Sequence, residues 1–179
     1  MNNILEKKPL FYAVSGVKNS GKTTLITKLL PVLTGRGLKV ATIKHDGHDF
    51  QTDVPGTDTF AHFRAGAYGT VVFSDHKYMV VKQRQDEVSK KKLTPEQMAA
   101  TWFPEADLIL LEGFKDSDYP KLEIIRSANS SACVCKGRHL RAVVTDAEPG
   151  TIKGLPEKVP VFGLEDAEQT AEFILKDLQ

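Results

Sequence analysis

Eight consecutive residues constrain this chain more than any other feature: Gly16-Val17-Lys18-Asn19-Ser20-Gly21-Lys22-Thr23, which fits G-x-x-x-x-G-K-[ST] at every fixed position. The glycines permit a tight turn in which successive backbone N–H groups converge on one concave anion site. An apolar run, Leu10 to Ser15, precedes the segment, and an amphipathic helical pattern with Leu25, Ile26, Leu29, Leu30 and Leu33 on one face follows it. Strand, glycine loop and helix in that order are the context that a phosphate-binding loop requires. Gly16 through Thr23, with Thr24, are therefore the candidate nucleotide-binding residues. Lys22 supplies charge to the β- and γ-phosphates and the Thr23 hydroxyl is a candidate Mg²⁺ ligand.

The rest of the chain reads as alternating strands and helices. Pro31 is expected to kink the first helix or end it early, and Gly35 with Gly37 to stop it. Lys39 to Lys44 is a second strand, and Phe60, Phe63 and Ala67 mark a short helix. Gly69 to Ser74 and Lys77 to Gln83, separated by Asp75 and His76, carry a hairpin signal, taken as an antiparallel addition to the sheet. Arg84 to Lys92 reads as a charged surface loop. Thr94 caps a helix with Pro95 at its first position and Gln97 in the capping-box place. Further strands are expected at Asp107 to Glu112, Lys121 to Arg126, Leu140 to Thr145 and Val159 to Phe162, then a last helix burying Ala167, Ala171, Ile174 and Leu178. The expected fold is a three-layer α/β phosphate-loop domain on a mostly parallel sheet, with 1–179 forming one domain.

Composition narrows the function classes. A net charge of +1 gives no field for general nucleic-acid binding. No apolar run approaches the roughly 18 residues of a membrane span. The two cysteines, Cys133 and Cys135, could share a face of a strand but would bridge poorly, so a reducing, cytoplasmic setting is expected.

Glu112 ends an aliphatic strand, where a carboxylate can hold Mg²⁺ or orient an attacking water. The loop from His45 to Asp58 follows the second strand, and Asp53 is its candidate Mg²⁺-associated or water-orienting residue. His45 and His48 with the two cysteines could in principle compose a soft-metal site, but a polar substrate-contacting loop explains them more simply. No N-K-x-D guanine reader occurs. Asp146, after the AVVT strand, is either a guanine-reading carboxylate or a turn aspartate, and the residues leave the base undecided.

Taken together, TIKH with HDF, D-V-P-G-T-D, F-R-A-G-A, LILLEGFK and VPVFGLEDAEQTAEFIL resemble the molybdopterin-guanine dinucleotide biosynthesis protein B (MobB) family, from Tyr12 to Leu175. The resemblance implies a GTP-binding protein with weak GTPase activity, often a homodimer, using Mg²⁺ with GTP. Its implied partners are the molybdenum cofactor guanylyltransferase and other cofactor-maturation proteins, with contact to molybdopterin itself left open. It assigns Lys22 and Thr23 the phosphate and Mg²⁺ roles, Glu112 the acidic strand-end role, and Lys44, His45, His48, Asp53, Gly56 and Asp58 to a signature loop. Gly47 and Thr57 depart from the usual family pattern, so neither a histidine cluster nor a phosphate contact at 57 is assigned. A small-molecule kinase or ligase using ATP is the competing class.

Overall fold

The computed structural model describes residues 8–47, 50–51, 53–83, 93–135, 137 and 139–179. It divides into two units, Met1–His45 with Pro95–Gln179, and Asp46–Thr94.

The first unit is built on six parallel strands: β1 (Leu10–Ser15), β2 (Val40–Lys44), β5 (Leu108–Glu112), β6 (Lys121–Ile125), β7 (Leu140–Thr145) and β8 (Val161–Gly163). They lie in the order β2-β5-β1-β6-β7-β8, so β1 is central and the chain crosses it between β5 and β6. Both faces of β1 and β5 are covered, which is why LILL and YAV are apolar runs rather than alternating ones. On one face, Tyr12, Val14, Leu108, Leu110, Leu122 and Ile124 pack against α1 (Lys22–Gly35) and α4 (Ala167–Asp177). On the other, Ala13, Ile43, Ile109 and Leu111 meet Ala99 of α3 (Pro95–Trp102), and Ile125, Leu140 and Val143 meet Cys133, Cys135 and Ile152. Each fully buried Leu or Ile contributes on the order of 1.5–3 kcal/mol through its burial.

Helix α1 runs through Pro31 without ending there and stops at Gly35, where the glycines were expected to end it. Pro31 is solvent-exposed, so its ring and missing N–H fall on the wet side, while Leu25, Ile26, Leu29 and Leu33 anchor the buried face. The last helix buries Ala171 and Ile174 as expected, together with Thr170, while Ala167 and Leu178 are only half-buried.

The second unit holds α2 (Asp58–Arg64) and an antiparallel ribbon of β3 (Gly69–Phe73) and β4 (Tyr78–Lys82). Thr57 caps α2, its Oγ1 accepting from the Phe60 N–H at 3.3 Å. Gly66, at φ +105°, ends the helix, with Gly66 and Ala67 N–H groups donating to the Phe63 and His62 carbonyls. Ala67 therefore lies beyond the helix. The hairpin turns at Asp75-His76 as expected, with the Ser74 N–H donating to the Lys77 carbonyl at 2.8 Å. Among the described residues its strands pair only with each other and form a separate two-stranded sheet. The expected charged loop at 84–92 lies outside the described residues. Among the described residues no helix is long and apolar enough to cross a membrane.

Candidate functional site

β1 delivers the chain into the glycine loop at the carboxyl ends of the parallel strands, beside the point where the connections cross the sheet. Backbone conformations there explain the residue types. Gly16 has φ +144°, and a Cβ on it would meet the Ile124 carbonyl oxygen at 2.5 Å and Ser20 Oγ at 2.7 Å. Gly21 takes φ +97° as the residue before α1, and Asn19, one of the side-chain-bearing residues that tolerate it, has φ +60°. No acidic residue occupies the first turn of α1, whose leading N–H groups have no intrahelical acceptor. The result is a positive, anion-seeking helix end.

Lys22 folds back over the loop, its ammonium donating to the Val17 carbonyl at 2.7 Å and the Gly16 carbonyl at 3.3 Å. Partial burial pulls its pKa below the usual lysine value, Glu112 opposes that shift and Lys44 adds to it. The Lys18 carbonyl accepts from Asn129 Nδ2 at 2.7 Å, so the turn after β6 braces the loop from outside. Ser20 is fully buried and its Oγ has no hydrogen-bond partner among the described residues. Thr24 lies exposed on the first turn of α1, and its carbonyl accepts from Thr27 Oγ1 at 2.8 Å.

Thr23 and Glu112, 89 residues apart in sequence, meet here. Thr23 Oγ1 donates to Glu112 Oε1 at 2.9 Å, and Lys44 Nζ approaches the same oxygen at 3.7 Å. The strand register sets this up, since Lys44 at the end of β2 lies directly beside Glu112 at the end of β5. A hydroxyl and a carboxylate oxygen converging beside the phosphate loop suit a small, hard dication such as Mg²⁺.

The segment after Glu112 is tightly held. Gly113 and Phe114 both have positive φ, +103° and +55°, and the second is a costly conformation for a bulky residue. Ser15 Oγ donates to the Gly113 carbonyl at 2.5 Å. Lys121, fully buried, donates to the carbonyls of Lys115 at 3.0 Å and Ser117 at 2.5 Å. Burial lowers the Lys121 pKa, countered by the nearby acidic groups.

Glu123, one strand position beyond the buried Leu122, forms a second buried clasp. Its Oε1 accepts from the Val134 N–H at 2.7 Å, and its Oε2 from the Cys135 N–H and Cys133 Sγ, both at 2.8 Å. The two cysteines are free thiols, and burial pushes Cys135 up to about 12 and Cys133 strongly upward too. From the sequence alone, Lys121 to Arg126 reads only as a strand. The available signal was two charges at alternate positions of an otherwise apolar K-L-E-I-I run, which places both on one covered face. Asn129 gave no such signal.

Asp146 stands at the end of β7, exposed, its Oδ1 accepting from the Ser127 N–H at 2.7 Å. That bond, more than any other contact, holds its carboxyl below the usual range. Asp53 belongs to the second unit, where hydrogen bonds from Thr59 and from the Val54 N–H, at 2.7 Å to Oδ1, likewise lower its pKa. His48 lies outside the described residues, and among those described no group of three or more His, Cys, Asp or Glu is placed to hold a metal ion.

The family model for molybdopterin guanine dinucleotide synthesis protein B matches residues 11–146. A molybdopterin-guanine dinucleotide biosynthesis adapter protein of Escherichia coli is 33% identical over 172 residues, covering 94% of this chain and 91% of that one. Its Haemophilus influenzae counterpart is 32% identical over 146 residues, covering 82% and 78%. Among solved structures, Bacillus subtilis MobB superposes with a TM-score of 0.69 at 25% identity, over 95% of this chain and 98% of that one. A MobB homolog from Bacillus stearothermophilus gives 0.67 at 25% identity, over 94% and 97%. With three quarters of its length matched by the family model and a curated relative aligned almost end to end, the chain belongs to the molybdopterin guanine dinucleotide synthesis protein B family.

Proposed function

We propose that this protein is a cytoplasmic, GTP-binding adapter of molybdopterin guanine dinucleotide synthesis that hydrolyses its nucleotide slowly, with Mg²⁺. The observation that carries the reading is the Thr23–Glu112 contact at 2.9 Å beside the phosphate loop. Those two residues would hold Mg²⁺, which when bound draws charge from the β- and γ-phosphates. Lys22, already lying across the loop, turns its ammonium from two carbonyls to the phosphates. The amides of the loop and of the first turn of α1 fix the phosphate chain, and the strained Gly113–Phe114 turn keeps Glu112 in place. Asp146, at the end of β7, is the guanine-reading carboxylate in this reading, sharing Oδ1 with the Ser127 N–H. Asp53 enters as a water-orienting group on its position in sequence after β2.

The expected partners are the guanylyltransferase of the molybdenum cofactor and other maturation proteins. Val71, Val72, Phe73, Tyr78 and Val80 leave the β3–β4 ribbon with exposed apolar side chains, which supports a homodimer formed through it.

Two variants test the site. Lys22→Ala removes a charge-assisted phosphate contact, about 1.5–3 kcal/mol, and should weaken GTP binding roughly 10- to 100-fold. Glu112→Gln should retain GTP binding and lose Mg²⁺-dependent hydrolysis. Normal hydrolysis by Glu112→Gln would remove Glu112 from the metal site.

A further inference from the structure

We propose that Lys44 is a catalytic residue, supplying from within the same chain the positive charge that stabilises phosphoryl transfer at the γ-phosphate. This rests on the GTP-hydrolysing reading of the site.

Glu112 Oε1 is shared. It accepts the Thr23 hydroxyl at 2.9 Å and faces the Lys44 ammonium at 3.7 Å. The Lys44 side chain is 59% exposed against 13% for Glu112, so the ammonium sits on the open side of the pair. At that distance, and with the ammonium open to solvent, the pair is a weak tether. With Thr23 and Glu112 engaged in holding a dication, Glu112 would no longer be available as the counter-ion of Lys44, and its ammonium would be freed. The anion then nearest in kind is the γ-phosphate, already the target of Lys22. Lys22 immediately precedes Thr23, whose hydroxyl meets the same Glu112 oxygen as the Lys44 ammonium, so both lysines border one site. Such a pair of ammonium groups, costly beside an empty loop, becomes favourable once a phosphate chain lies there.

Position in the sheet separates Lys44 from Arg126, another cation near the phosphate loop. Arg126 follows β6 and lines a hollow with Gly21, Thr24 and Leu164, on the opposite side of β1 from β2. Lys44 alone of these two lies on the Glu112 side.

In hydrolysis the water oxygen bonds to the γ-phosphorus and the bond to the β–γ bridging oxygen breaks. Its electron pair leaves with GDP, and the water proton passes to the phosphate. Lys44 gains and loses no proton; its charge offsets what spreads over the γ-oxygens in the transition state.

The test uses the full chain with Lys44→Ala and Lys44→Arg. It follows single-turnover GTP hydrolysis with Mg²⁺, and affinities for GDP with and without aluminium fluoride. Lys44→Ala should slow hydrolysis about 100-fold, keep GDP affinity within about 2-fold, and weaken the GDP–aluminium fluoride complex about as much as the rate. Lys44→Arg should recover part of both. A Lys44→Ala rate equal to wild type, or equal losses with and without fluoride, overturns the proposal and makes Lys44 a counter-ion of Glu112. Wild-type protein that binds GTP and never turns it over also overturns it, while leaving the GTP-binding reading standing. Wild-type protein that binds no GTP overturns both.

Discussion

Gly16 shows how one residue can be dictated by what surrounds it. At φ +144°, with the Ile124 carbonyl oxygen 2.5 Å and Ser20 Oγ 2.7 Å from where a Cβ would stand, alanine meets both backbone strain and a backbone clash. Gly16→Ala should cost about 2–4 kcal/mol, read as a lower urea midpoint, and should weaken GTP binding by disturbing the loop. A variant as stable as wild type would mean that the loop relaxes around the new methyl group. At this scale the sequence was most legible where chemistry leaves no substitute. Gly16, Gly21, Lys22 and Thr23 were readable because each type is required at a fixed spacing. Thr57 was not readable as a helix cap, since a loop threonine before an aspartate has several uses and only the 3.3 Å bond from Phe60 selects one.

Among the elements, β6 carries more than a strand pattern discloses. Lys121 and Glu123 are each 1% exposed, and each is satisfied by loop groups contributed from elsewhere in the chain. Such clasps depend on which loops fold over the sheet, so their partners could not be read from the strand itself. Glu123→Ala strips the acceptor from the Val134 and Cys135 N–H groups and should destabilise the fold by about 2–4 kcal/mol. The thiols beneath it give a pH signature. Their folded pKa values are raised, Cys135 to about 12 from an ordinary value near 9, so the fold favours the neutral thiols. Stability from this source is complete below about pH 9 and is lost as pH climbs toward 12. Between about pH 8 and about pH 10.5 the wild-type urea midpoint should fall more steeply than that of a Cys133→Ala, Cys135→Ala double variant. Parallel slopes would show that the thiols ionise as freely in the fold as in the unfolded chain. Helix α1 teaches the reverse lesson: Pro31 suggests a kink or an early end, yet an exposed proline on a well-anchored helix costs less than the burial of Leu29 and Leu33 returns, and the helix runs on to the glycine stop.

At the scale of the whole molecule, the parallel sheet order gathers the candidate site residues of the first unit. With β1 central and β5 beside it, the ends of β1, β2 and β5 bring Gly16, Lys44 and Glu112 to one edge of the sheet. The alternation of strands and helices was enough to anticipate this architecture, whereas the separate pairing of the β3–β4 ribbon was not, because a hairpin signal fixes its own register and says nothing of neighbours. The proposed choice of base would belong to the whole chain as well, with Asp146 arriving from β7 and the phosphate loop from β1. Calorimetric titration of the purified protein with GTP and with ATP, each with Mg²⁺, measures that choice directly. Selective GTP binding, weakened towards parity with ATP by Asp146→Ala, is the predicted result. Equal or ATP-selective binding would contradict the GTP assignment and favour a kinase or ligase acting on a small acceptor.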